Sequence, residues 1–405
     1  MVETKVLGNG IRIVHYKTTS PVSHLAIMTE TGSRDELIEE SGMAHFIEHN
    51  LFKGTKKRKI HHILNRLEDV GGDLNAYTTK EETCLHATFL TEYLDRAAEL
   101  LKDMFFDSTF PEREIEKEKE VILDEINSYL DSPSEQIYDE FDELIYPNHS
   151  IGRPILGLAE TVKCFNRETV LKFIGSHYAT NQIVVATSGS ITHEKSFRIL
   201  QKYFESVPAK FIATTEKEIP IFTANYKAVE KKTYQAHCII GMPAYEAQHP
   251  GRYSLRLLNN VLGGQSMNSR LNMSLREKAG YVYNIDSSYS AFRDAGSLII
   301  YFGTDKENLN RSLDLMYKEV RKLKTVALTK SQMDKAKKQM IGQIAISSES
   351  VEAFMLAGAR TFLFYNELIM LEKYFQEINK LTADDLIRTA NEIFDESKMA
   401  TLIYK

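Results

Sequence analysis

The order of apolar patterns along the chain occurs twice, and that recurrence limits the fold more than any other feature of the sequence. Residues 11–16 (Ile-Arg-Ile-Val-His-Tyr) and 24–29 (His-Leu-Ala-Ile-Met-Thr) alternate or run apolar over strand lengths, broken at Asn9-Gly10 and Gly32-Ser33. From Ser41 to about Phe52, and from Lys59 to Val70, the spacing becomes i, i+3, i+4 and stops at Gly71-Gly72, which predicts helices. Residues 73–90 return to strand character. Long amphipathic helices are predicted over 92–106 and 111–131, and a helix (168–178) and strand (182–190) close the first half. After residue 226 the order recurs: strand 234–241, helix 252–261 ending at Gly263-Gly264, helix 269–278, strands 281–289 and 296–303, then long helices to the C-terminus. This implies an α+β chain of two related halves.

Between the halves, 205–226 carries Pro208, Thr214-Thr215 and Pro220 without a sustained helical period, so the expected domains are 1–210 and 220–405. A length of 405 residues gives each its own core. Composition narrows the class: 43% hydrophobic and 26% charged residues, with only 9 Pro, describe a folded, water-soluble protein without long disordered stretches. A net charge of −6 disfavours nucleic acid or an anionic membrane as the main partner. Cys84, Cys164 and Cys238 are far apart and show no CxxC spacing, which excludes a disulfide framework and a thiolate zinc site and suits a reducing compartment. The first ten residues lack a signal-peptide pattern, and no stretch reaches the ~18 apolar residues of a membrane span, so the expected location is the cytoplasm.

The sharpest chemical feature is His45-Phe46-Ile47-Glu48-His49 within a helical pattern. His45 and His49, at i and i+4, project from one helix face as two ligands of one metal must, with Glu48 beside them as a candidate base. A catalytic zinc wants a third protein ligand. The helix 114–130 offers Glu118 and Glu125, seven apart and on one face. Most of its acidic residues read as a solvated surface. Glu125 differs because it interrupts the apolar run Val121 to Ile126, where an unpaired carboxylate would be costly to bury.

His45-x-x-Glu48-His49, followed by Glu125 within Val121-Ile122-Leu123-Asp124-Glu125-Ile126, resembles the pitrilysin-type inverzincin metallopeptidases, the family of insulin-degrading enzyme and the mitochondrial processing peptidases. Gly42-Met43-Ala44, Leu51-Phe52-Lys53-Gly54-Thr55, Leu74-Asn75-Ala76-Tyr77-Thr78, Glu82-Thr83, Leu262-Gly263-Gly264, Ser269-Arg270-Leu271 and Leu275-Arg276-Glu277-Lys278 extend the resemblance over essentially the whole chain. It looks like a short, single-chain, two-domain bacterial-type member.

That resemblance implies an α+β fold of two homologous domains, each a mainly antiparallel sheet covered by helices, facing each other across a cleft, with one zinc ion per chain held by His45, His49 and Glu125, and Glu48 as general base. It implies that Glu118 orients a ligand histidine, that Asn75 and Ala76 lie on a substrate-binding edge strand, and that Phe52 lines the apolar side of the cleft, a core phenylalanine being the other reading. It also implies that Arg276 and Tyr283 bind the substrate carbonyl and support its oxyanion. Asn50 departs from the Met of many relatives. In the second half Ser254, Leu257 and Leu258 stand where His45, Glu48 and His49 would be if Gly263 is set against Gly54. The expected function is therefore zinc-dependent endopeptidase action on peptides or unfolded segments, by a homodimer. The alternatives are a non-catalytic peptide-binding or scaffold subunit, and the catalytic half of a heterodimer with a related chain. A structural zinc site is disfavoured because it would be closed by four ligands, and manganese or cobalt could occupy the same donors. The basic run Lys53 to Lys59 reads as a solvated loop rather than a nucleic-acid patch.

Overall fold

The computed structural model describes residues 2–213, 219–368 and 370–405; the middle of the expected connector, 214–218, lies outside the described residues. Eleven strands form two sheets among the described residues. The first contains β1 (Val2–Val6), β2 (Arg12–Lys17), β3 (Val22–Thr29), β4 (Asp73–Thr78), β5 (Thr83–Leu90) and β6 (Ile183–Gly189), in the order β1-β2-β6-β3-β5-β4. The second contains β7 (Tyr226–Val229), β8 (Ala236–Pro243), β9 (Val282–Ala291), β10 (Gly296–Thr304) and β11 (Ala400–Tyr404), in the order β7-β11-β8-β10-β9. If β1 is set aside as an added edge strand, each sheet runs first-fifth-second-fourth-third in chain order. In each, the first and fifth strands pair in parallel and all other pairs are antiparallel. The two halves share one topology.

Central strands are buried on both faces and so read as continuous apolar runs, as in β6 (Ile-Val-Val-Ala-Thr-Ser-Gly) and β8. The same property hid β11. Helices were expected to the C-terminus, but Ala400–Tyr404 is a fully buried strand between β7 and β8, and a run of five residues is too short for periodicity to tell strand from helix. Edge strands β1 and β7 are largely exposed and carry no apolar signature.

The chain divides into two compact units, neither of them a contiguous stretch. Unit 1 comprises Met1–Asn127, Arg153–Glu216 and Ser347–Ile369; unit 2 comprises Ser128–Gly152, Lys217–Ile346 and Met370–Lys405. Compared with a division into 1–210 and 220–405, two helical segments are exchanged. Pro133–Ile145 packs Ile137, Phe141 and Ile145 with Ile239, Leu402 and Tyr404 of the second sheet. Val351–Tyr365 packs Met355, Ala359 and Phe362 with Val14, Met28 and Val184 of the first. Each exchanged helix buries its apolar stripe on the sheet it covers, and burial of apolar area decides the assignment.

Charged groups fix Val351–Tyr365 in place at both ends. Near its start, Glu352 accepts from His86 Nδ1 (2.9 Å) and Thr88 Oγ1 (3.1 Å). Further along, Arg360 donates to both carboxylate oxygens of Glu82 (3.0 and 3.1 Å) and to Glu81 (3.1 Å), which also takes Arg34 at 2.7 Å. Glu81, Glu82 and Arg34 are 2%, 3% and 5% exposed and lie out of water, whereas the Arg360 side chain is 40% exposed.

Candidate metal centre

Helix α1 (Met43–Asn50) puts its apolar residues on one side: Met43, Ala44, Phe46 and Ile47 are within 1% of complete burial in the first core. His45, Glu48 and His49 fall on the other side. The start of α1 is tightly held. Gly42 has φ 94°, and a Cβ there would lie 2.6 Å from Leu156 O, so glycine is required by both conformation and space. Buried Glu36 accepts from the backbone N–H of Gly42 and of Ala44, each at 2.8 Å, which satisfies two of the helix's orphan donors. Burial pushes the Glu36 carboxyl up to about 8 against the pull of those two donors.

The helix Glu112–Leu130, α2 here, supplies the carboxylates, with Ile115 and Ile122 in the core and Glu118 and Glu125 two turns apart. Glu125 Oε2 lies 3.9 Å from His45 Nε2 and 3.8 Å from His49 Nε2, and one ligand atom from each of the three residues lies within 4.8 Å of the others. Donors at ~2.0–2.2 Å from one tetrahedral zinc sit about 3.4 Å apart, so small side-chain rotations close the set. Among the described residues it is the one such cluster of His, Cys, Asp and Glu. Side-chain exposures of 10%, 24% and 38% for His45, His49 and Glu125 leave a side open for a fourth, non-protein ligand.

Protonation favours metal binding. Burial, then the neighbouring His49, lower the His45 imidazole to about 4, so it is neutral at pH 7. His49 Nδ1 donates to Glu118 Oε2 at 3.2 Å, which leaves Nε2 as a free donor atom facing Glu125. Glu118 also takes Lys53 at 2.7 Å; burial pushes its carboxyl up, but the bonds from His49 and Lys53 outweigh that and hold it below its ordinary value. Replacing Glu118 by Gln is therefore expected to weaken zinc affinity by about 10–100-fold, read by competition with a chromogenic chelator. An unchanged affinity would deny Glu118 this orienting role.

Glu48 is raised by burial, with the Thr78 hydroxyl and the His49 charge opposing and Glu125 adding to the rise. Thr78 on β4 approaches without reaching good hydrogen-bond geometry: Thr78 Oγ1 and Glu48 Oε2 are both buried and unpartnered. Two such atoms beside convergent metal donors make a polar niche suited to a water molecule.

The other expected site residues are distributed as follows. Asn75 and Ala76 lie on β4, the last strand of its sheet; Asn75 is exposed, and its Oδ1 accepts from the Ala76 N–H at 2.9 Å. Phe52 is half-buried against the first core. Asn50 is fully buried and donates to Phe46 O at 2.8 Å, within its own helix. Arg276 and Tyr283 belong to unit 2. Arg276 lies on Asn272–Lys278, a π-helix within the helix expected over 269–278, and Tyr283 is the second residue of β9, exposed, its hydroxyl donating to Asp305 at 2.9 Å. Ser254, Leu257 and Leu258 are buried, Ser254 bonding with Thr389 at 2.7 Å. The basic run is largely spent in ion pairs: Lys53 with Glu118, Lys56 with Asp107, and Arg58 with Glu99 and Asp103. Glu36, Lys53 and Thr78 were not singled out for the site from sequence. Their roles come from contacts that only the folded chain makes, of Glu36 with the start of α1, Lys53 with Glu118 and Thr78 with the surroundings of Glu48.

A family model described as Insulinase (Peptidase family M16) matches residues 12–158, and one described as Peptidase M16 inactive domain matches residues 165–340. The chain is similar to an uncharacterized zinc protease, YmxG, of Bacillus subtilis, at 35% identity over 405 residues, spanning 100% of this chain and 98% of that protein. It is also similar to the mitochondrial-processing peptidase subunit beta of Saccharomyces cerevisiae, at 26% identity over 404 residues, 96% of this chain and 87% of that one. A crystal structure of a protease from Helicobacter pylori shares the fold, with a TM-score of 0.91 at 24% identity, covering 100% of this chain and 99% of the other.

Proposed function

The chain belongs to the insulinase (peptidase M16) family, and from that premise we propose that it is a zinc-dependent endopeptidase acting on peptides or unfolded segments. The observation that carries this reading is the convergence of His45, His49 and Glu125 beside Glu48, whose buried Oε2 has no partner. One zinc per chain would be held by those three residues, and when bound it supplies Lewis acidity.

The chain's own residues do the rest. Glu48 Oε2 takes the proton of the attacking water and delivers it to the leaving amine, a task aided by a carboxyl whose affinity for protons burial has raised. Glu118 keeps the His49 proton on Nδ1. The outer edge of β4, at Asn75 and Ala76, offers backbone donors and acceptors to an extended peptide, which favours affinity with little sequence selectivity, and Phe52 supplies apolar surface near the motif. Arg276 and Tyr283 bind the substrate carbonyl and support its oxyanion. The chain carries both the metal motif and this pair, which supports a homodimer over pairing with a different subunit. Cys84, Cys164 and Cys238 are all unpaired, in keeping with a reducing cytoplasm. No helix among the described residues is long and apolar enough to cross a membrane.

The test is hydrolysis of a mixed library of quenched peptides by purified protein. Cleavage should fall to background with chelator and return when zinc is added. Absence of cleavage by zinc-loaded protein would favour a peptide-binding or scaffold role.

A further inference from the structure

Unit 2 contains a cavity of about 430 Å³ between the π-helix Asn272–Lys278 and the helix Leu309–Thr325. Arg270, Lys278, Lys318 and Lys322 line it with one carboxylate, Glu319, so four cations against one anion leave a formal surplus of three positive charges. Glu319 is already engaged, accepting from Lys322 Nζ at 2.6 Å. Arg270 is half-buried, and the side chains of Arg270, Lys278 and Lys318 make no hydrogen bond or ion pair among the described residues. Burial pulls the Arg270 guanidinium below its ordinary value, with Glu319 as the opposing charge. A partly desolvated cation whose one charged neighbour, Glu319, is already shared with Lys322 leaves room for a further anion. Elsewhere in the chain cations meet acids, as Arg58 does with Glu99 and Asp103.

We propose that this cavity is a binding site for a small anion carrying at least two negative charges, of phosphate or carboxylate type. The planar Arg270 fork suits either group at the half-buried end, and the lysines on the rim add point charges. Met273, Leu315 and Val326 form an apolar wall, so the ligand can carry a short hydrocarbon part. The volume lies within the range of small-molecule sites. π-helical turns are frequent at functional sites, and an anion held by Arg270 and Lys278 would brace both ends of this one. The inference is independent of the peptidase reading.

The test is calorimetric titration of the full-length, zinc-loaded chain with inorganic phosphate and, separately, with succinate, against chloride at equal ionic strength. Zinc content is measured before and after to exclude metal extraction. Saturable binding of either dianion is expected, weakened at least about tenfold by Arg270→Gln and by the exposed substitution Lys318→Gln, which leaves the core untouched. Binding of phosphate alone assigns a phosphate-type ligand, and of succinate alone a carboxylate type. No saturable binding of either dianion up to 20 mM, or binding that Lys318→Gln leaves unchanged, overturns the proposal.

Discussion

Glu48→Gln lowers peptide hydrolysis by about 10³-fold or more and leaves zinc at one per chain, because general acid–base catalysis contributes on the order of 10²–10⁴ and the amide can no longer accept the proton. The substitution preserves shape, and His45, His49 and Glu125, the convergent donors, are untouched. Folding stability should hold or rise slightly, since a carboxyl already disfavoured by burial is replaced by a neutral group. Turnover of a fluorogenic peptide and metal analysis of the same preparation separate the two effects. Retained turnover would remove Glu48 from the mechanism; lost zinc would make it a ligand rather than a base.

A second large effect falls on stability. Glu81→Ala is expected to cost unit 1 about 3–5 kcal/mol, the range for removing one partner from a buried ion pair. Glu81 is 2% exposed and takes Arg34 on one carboxylate oxygen and Arg360 on the other, so its loss removes an acceptor from the buried Arg34 while Arg360 keeps Glu82. Denaturant unfolding of the variant reads the cost. Arg34→Met in the same chain should restore part of it, because the buried cation that lost its Glu81 acceptor is then gone. A loss under about 1 kcal/mol would mean that the network is solvated despite its burial.

The metal helix and eight of the eleven strands were legible because their signals are local; β1, β7 and β11 were not, the first two being exposed edges and the last a short buried run. His45 and His49 share a face by simple i, i+4 geometry, and Glu125 is conspicuous as a carboxylate among apolar neighbours. The roles assigned to Arg276 and Tyr283 came from family resemblance, since an exposed arginine and a strand tyrosine carry no signal of their own. Periodicity states that a helix has an apolar stripe but not which sheet the stripe will cover, so the exchanged helices could not be read. Glu36 was equally silent. Its hold on the start of α1 exists only once residues six and eight positions apart meet at a glycine with positive φ.

The exchanged helices tie the fates of the two units together. Residues 133–145 belong by sequence to the first half and by packing to the second sheet; residues 351–365 do the reverse. If either sheet melts, a cover is withdrawn from its own core and the cover it lends is left without an anchor. Separated at the connector, each half would hold a complete sheet but the wrong lid, exposing the apolar face that only the other polypeptide piece could close. The repeated topology thus couples its two halves through these helices, each half carrying in its sequence a cover that the other half's sheet uses.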